Sequence, residues 1–287
     1  MLSWLLFLAT PACGPSAPLS LPQVAPPSPN SQAPAAAETD PAADLLEKLI
    51  EAQATEKDLP AVEGFGVSMD IRLYLPEGGN DFKLSLYFKT EPFESIRLLL
   101  DDATHGTKVQ KGFDKDGFWL LDADQKLISL DAHEFEQDRE AIDEAMVLCN
   151  DFLLLFDLKR LKRKASELEL VKTEAGQTIK GKLRRGRDKW GFELLVGKDK
   201  DLPSRLSLQP PAIKVDEEGK ELEEPVIPPR LHYEFGDWTS YEGRRLPSWI
   251  DEFHGEDLER PLRVMEIEEF LWREAQKLRT ARKKDED

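Results

Sequence analysis

Val67-Ser-Met-Asp-Ile-Arg-Leu-Tyr-Leu75, then Glu77-Gly-Gly-Asn80, then Phe82-Lys-Leu-Ser-Leu-Tyr-Phe88: the fold turns on this stretch. Val67, Met69, Ile71, Leu73 and Leu75 alternate with Ser68, Asp70, Arg72 and Tyr74. Successive side chains of a strand point to opposite faces, so this period of two describes one buried and one wet face. After the Gly-Gly turn, Phe82, Leu84, Leu86 and Phe88 repeat the pattern, with Lys83, Ser85 and Lys89 facing out. Two alternating runs joined by a short glycine turn predict an antiparallel hairpin with one apolar face.

The same reading extends toward the C-terminus. Glu91-Pro92 breaks the second strand, and Ile96, Leu98 and Leu100 mark a third. Asp114-Lys-Asp-Gly117 reads as a hairpin turn between strands near 106–113 and 117–122. It falls short of a calcium loop, because Gln125 stands where a bidentate Glu is needed. Glu134 to Ala165 contains neither Gly nor Pro and carries apolar residues at helical spacing. Asp151 is a candidate cap there, which predicts a helix break near Asn150. Strands return at 167–173, 178–184, 189–196, 204–209, 230–239, 246–254 and 262–271. Their short Gly- and Asp-rich connections favour an antiparallel meander over βαβ units. Pro210 to Pro229 is acidic and proline-rich and reads as an inserted loop. On the N-terminal side, Asp40 caps a helix, Pro41 suits its first turn, and Leu45, Leu46, Leu49, Ile50 and Gln53 form its stripe.

These elements predict an α+β chain, mostly antiparallel β: a curled sheet or half-open barrel of about eleven strands, with helices over the concave face. A sheet that long curls, and helices can fill the concavity. The domain runs over 40–272, with the insertion at 210–229 and a charged tail at 273–287.

Composition narrows the function classes. The chain has 287 residues, 39 Lys+Arg against 56 Asp+Glu, and a net charge of −17. That balance argues against a general nucleic-acid binder, which needs a basic surface to displace counterions. Two cysteines cannot build a disulfide scaffold or a four-thiolate metal site. Cys149 lies in an apolar run and reads as a buried small hydrophobe. The basic run Lys159-Arg-Leu-Lys-Arg-Lys164 reads first as a solvated helix end whose cations complement the dipole. Its functional alternative is contact with anionic headgroups or an acidic partner.

The N-terminal 41 residues hold nine of the twenty prolines. With Glu38 and Asp40 as its charged side chains, this segment predicts a disordered tether. Ahead of it, Trp4 to Ala9 is too short to span a bilayer as a helix but suits a secretory signal. Ala12-Cys13-Gly14 resembles a bacterial lipobox, where Cys13 receives a diacylglycerol anchor. Thr10 and the lack of Lys or Arg before the apolar run depart from that pattern. An ordinary cleaved signal and an inconsequential apolar N-terminus remain the alternatives. The segmentation is a signal peptide over 1–12, then Cys13 and tether over 13–39.

Three stretches resemble the LolA/LolB-like lipoprotein-carrier superfamily. They are the helix from Asp40 to Glu56 leading into a long strand, Phe113-Asp-Lys-Asp-Gly-Phe-Trp-Leu-Leu-Asp122, and the aromatic hairpin Leu231 to Ile250 with its Tyr-x-Gly turn and Leu-Pro. The resemblance implies a half-open barrel with helices over an apolar cavity, and a non-enzymatic role: holding a lipid, an acyl chain or an acylated protein. Expected wall residues are Met69, Ile71, Leu73, Leu84, Leu86, Phe88, Leu98, Leu100, Trp119, Phe192 and Leu194; expected lid residues are Phe152, Leu155 and Phe156. It further implies a monomer in the bacterial cell envelope, lipid-anchored at the periplasmic face of the outer membrane. The insertion at 210–229 departs from the family pattern, and the turn at Glu77 to Asp81 lacks the protruding apolar residue of LolB-like receptors. An envelope sensor or structural lipoprotein binding a protein partner, as in RseB-type relatives, is the alternative. No P-loop, HExxH, GxSxG or complete GxGxxG is present, so neither a catalytic residue, a metal nor a cofactor is expected.

Overall fold

The structure is a computed structural model that describes residues 40–56, 64–75, 78–90, 94–102, 107–115, 117–121, 132–185, 188–198, 200–215, 221–256 and 258–271. The signal peptide, Cys13, the tether, Trp272 and the charged tail lie outside the described residues. Asp40 acts as the expected cap. Its carboxylate accepts the Ala42 N–H at 3.0 Å, and Pro41 opens helix α1 (Pro41–Gln53). The stripe Leu46, Leu49, Ile50 and Gln53 is buried, which turns α1 toward the sheet.

Among the described residues twelve strands form one sheet, one more than expected. They are β1 (Gly64–Leu75), β2 (Gly78–Lys89), β3 (Ser95–Asp102), β4 (Thr107–Asp114), β5 (Gly117–Leu121), β6 (Ala165–Thr173), β7 (Gly176–Arg185), β8 (Asp188–Gly197) and β9 (Arg205–Gln209), then, after a separate ribbon of β10 (Ile213–Val215) and β11 (Glu221–Val226), β12 (Leu231–Tyr241), β13 (Arg244–His254) and β14 (Arg263–Leu271). The order across the sheet is β5-β4-β3-β2-β1-β14-β13-β12-β9-β8-β7-β6, and every pair is antiparallel. The sheet is not closed: β5 and β6 are its edges.

This order dictates the helices. Two meanders grow outward from the β1–β14 seam, so the chain leaves β5 at one edge and must re-enter at β6 on the other. The crossover is α2 (Ala132–Phe156) and α3 (Leu158–Lys164), which meet β4 and β7 respectively. A connection of that span has to run over a face of the sheet. The apolar stripe of the strands is the face it covers.

The helix break differs from expectation. It falls at Asp157 rather than near Asn150. Asn150 bonds back to the Met146 carbonyl inside α2 at 3.0 Å, and Asp151 spends its carboxylate on the sheet instead of a cap. At the actual break, buried Gln53 of α1 donates to the Leu155 carbonyl at 2.8 Å and accepts the Leu158 N–H at 3.0 Å. One amide thus satisfies a carbonyl and an N–H that the interruption frees. The region read as an inserted loop contains the β10–β11 ribbon, with Ile213 opposite Val226 and with Val226 and Ile227 exposed.

Candidate functional site

Cross-strand register builds the inner face residue by residue. Directly opposed residues of an antiparallel pair share a face. Val67 opposes Leu86 and Phe270, Leu86 opposes Leu98, and Met69 opposes Leu84, which opposes Leu100. Across the seam, one row runs Leu73, Arg263, Glu252, Tyr233, Leu206, Leu194, Ile179 and Leu170. The helices close over this face through an aromatic cluster. Phe156 of α2 lies edge-on to Phe65 at 5.2 Å and to Phe270 at 5.1 Å, while Phe152 meets Tyr233 at 6.4 Å. Burying such a ring contributes about 1.5–3 kcal/mol, and each well-placed ring pair adds about 0.5–1.5 kcal/mol.

Ten of the eleven expected wall residues share this face. Met69, Ile71, Leu73, Leu86, Phe88, Leu98, Leu100, Phe192 and Leu194 are buried there, and Leu84 is half-buried against them. The lid residues Phe152, Leu155 and Phe156 are each no more than 1% exposed. Trp119 is the exception. It opposes Gly112, which opposes Arg97, and that row belongs to the outer face. A Cβ on Gly112 would stand 2.4 Å from the Trp119 ring, so the indole lies flat over the glycine. Trp119 is a cross-strand cover, not a wall. Its alternation with Phe118 and Leu120 held the signal, because Leu120 is the buried inward neighbour.

Polar residues on the inner face went unrecognised in the sequence. Asp151 of α2, 1% exposed, accepts the Tyr233 hydroxyl at 3.2 Å and lies 2.8 Å from Arg185 Nη2. Burial raises its pKa to about 6, against the pull of Arg185 and Tyr233. The Arg185 guanidinium stacks 4.0 Å over Trp190. Beside this group, Glu252 lies 3.0 Å from Arg263 Nε and 2.8 Å from His254 Nε2. Burial acts to raise the Glu252 pKa, but Arg263 and His254 outweigh it and hold the carboxyl low. Lys111 also faces inward, opposite Leu98 and Leu120. A carboxylate set within Cys149-Asn-Asp-Phe-Leu-Leu-Leu-Phe156 was the available signal, since charge inside an apolar run needs a partner. Cys149 itself is fully buried, and burial followed by Asp151 raises its thiol pKa, which leaves it unreactive.

A cleft of about 540 Å³ opens at the end of the sheet between the β8–β9 connection and the β12–β13 turn. Pro203, Phe235, Trp238 and Arg245 line it, and none of the expected wall residues does. Phe235 connects it to the interior, because Phe235 opposes Ile250 on the inner face.

No family model and no curated protein matches the chain. Solved structures do. The chain is similar to the crystal structure of a LolA superfamily protein from Nitrosomonas europaea, at 11% identity over 80% of this chain and 92% of that one, TM-score 0.44. A DUF1329 family protein from Desulfovibrio piger aligns at 12% identity over 81% and 93%, TM-score 0.43. A Vibrio parahaemolyticus domain named for outer membrane lipoprotein sorting aligns at 10% over 80% and 92%, TM-score 0.40. Similarity of this degree transfers no ligand or partner to this chain.

Proposed function

We propose that this chain is a bacterial cell-envelope lipoprotein that holds a lipid, an acyl chain or an acylated protein between the apolar face of its sheet and the α2 crossover, as a carrier or receptor rather than an enzyme. The observation that carries the proposal is the largely apolar face of the sheet, interrupted by Arg263, Glu252 and Lys111, lying under a helical crossover. A second sheet packed over such a face would be tied down strand to strand by its own ladder. A helix attached mainly by apolar contact and by Asp151 can be lifted and replaced by another apolar occupant.

The curl of the sheet belongs to the same proposal. From Asp151 to Phe156, about 8 Å of helix axis, α2 touches β7, β12, β14 and β1. In a flat sheet β7 and β1 would stand about 29 Å apart. Strands that converge on so short a segment support a half-open barrel with α2 in its concavity. The cleft bordering Phe235 is its mouth in this proposal. Cys13 carries the diacyl anchor, residues 13–39 form the tether, and the domain of 40–272 works as a monomer at the periplasmic face of the outer membrane.

The test is uptake of a fluorescent fatty acid by the Cys13→Ser chain. A saturable emission increase, competed by unlabelled palmitate, is expected. Emission that tracks free probe in buffer overturns the cavity. One observation favours the second reading, a sensor or structural lipoprotein that binds a protein partner. Leu194, Leu206 and Phe156 are wholly buried, so the described interior is filled by its own side chains. Under that reading the chain copurifies with a membrane-bound protein and carries no lipid.

A further inference from the structure

The cationic run in α3 acquires a second component in the fold. Five of the six residues from Lys159 to Lys164 are basic, and Lys164 leads directly into β6 at Ala165. Ala165 opposes Leu183, and Ser166 opposes Lys182, so the end of α3 lies beside the end of β7. Across β7 and β8, Arg184 opposes Lys189 and Arg185 opposes Asp188. Like charges placed directly opposite destabilise a pair of strands. Here Glu167 of β6 offsets the charge of Lys189. Lys159, Lys162, Arg163, Lys182, Arg184 and Lys189 are all exposed. Some of the cations have carboxylate partners: Glu47 pairs with Lys162, Glu167 with Lys189 and Asp151 with Arg185, and Asp188 stands opposite Arg185. Burial lowers the Lys164 pKa, and Arg160 and Arg185 lower it further.

We propose that α3 and the adjoining β7–β8 end form a docking face for the anionic headgroup layer of a phospholipid membrane. The face lies at the rim of the sheet, because β6 is an edge strand. A plane can meet such a rim without approaching the rest of a chain whose net charge is −17. Acidic surface more than a Debye length away, about 10 Å at 0.1 M salt, is screened from it. A nucleic acid would extend past the rim and meet that acidity. The cations stand on a helix and on outward strand positions as long flexible stems. Such stems suit a fluid layer of charge better than one fixed partner geometry.

The inference rests on the proposed anchor only for bringing the face near a bilayer, and its test removes that anchor. Full-length Cys13→Ser protein is floated with vesicles of phosphatidylcholine containing 30% phosphatidylglycerol, and with pure phosphatidylcholine vesicles, at about 50 and 500 mM salt. The expected result is binding to the anionic vesicles at least about ten-fold above the neutral ones, abolished at high salt. Lys159→Glu with Arg163→Glu and Lys182→Glu should lower it about ten-fold or more. Lys198→Glu with Lys214→Glu and Arg260→Glu, the same charge change elsewhere, should leave most of it. Equal binding to both vesicle types, no binding at low salt, or equal loss in the two triple variants overturns the proposal. So does retention on an acidic polypeptide or heparin without vesicle binding, which would assign the face to a macromolecular polyanion. The salt dependence of the parent protein decides the matter even if a variant fails to fold.

Discussion

Asp151 shows how much one side chain is asked to do. It is the carboxylate that fixes α2 to β7 and β12, and it is buried with a pKa of about 6 against an ordinary 3.8. Between these values the folded chain keeps a proton that the unfolded chain releases. Its contribution to stability is therefore full below about pH 4 and lost as pH rises through about 6. Asp151→Asn removes that slope. Melting temperatures at intervals from pH 4 to 7 should show the parent losing stability relative to the variant across the window; parallel curves would contradict the assignment. Gln53 makes a second residue-scale prediction. Gln53→Leu keeps the volume but leaves the Leu155 carbonyl and Leu158 N–H unpaired at the helix break. Each buried orphan costs about 1–3 kcal/mol, so urea unfolding should register a loss of about 2–4 kcal/mol. A change under about half a kcal/mol would mean that water replaces the amide.

Among the elements, strands were legible because period two survives any tertiary context that buries one face. The runs Val67 to Leu75 and Phe82 to Phe88 became β1 and β2, but Gly78, Gly79 and Asn80, read as turn residues, pair with Leu75, Tyr74 and Leu73 inside the ladder. Helix α1 was legible from Asp40 and Pro41, since caps are local chemistry. The break at Asp157 was not, because the residue that satisfies it, Gln53, lies about a hundred positions away. Trp119 misled for a related reason: bulk and apolarity suggest a wall, but the face is decided by register against Gly112. A second Gly–Trp pair lies across antiparallel β12–β13, where a Cβ on Gly236 would stand 2.7 Å from the Trp249 ring. Gly236→Ala should therefore destabilise by about 1–3 kcal/mol. Combined with Trp249→Leu, which removes the obstructing ring, the cost should be clearly less than the sum of the two single changes. Strict additivity in that cycle would show that the indole does not sit on the glycine.

At the scale of the whole molecule, a net charge of −17 coexists with a cationic cluster at the α3 end of the sheet. The cluster was half visible in Lys159 to Lys164, while its other half required the Ala165–Leu183 register. The inner apolar face was legible residue by residue, but the buried pair Asp151–Arg185 joins a helix to a strand, and Glu252–Arg263 is set by the β13–β14 register. The lipid anchor makes its own prediction: Cys13→Ser should move the protein from the membrane fraction to the soluble one, and an unchanged distribution contradicts it. The proposed role stands or falls on whether the interior between sheet and α2 accepts an acyl chain. Native mass spectrometry of the Cys13→Ser chain, purified without detergent and then titrated with palmitate, reads that occupancy without a reporter. A one-to-one adduct of lipid mass, present as purified or formed on titration, is expected. A bare protein mass throughout the titration would overturn the lipid-holding role.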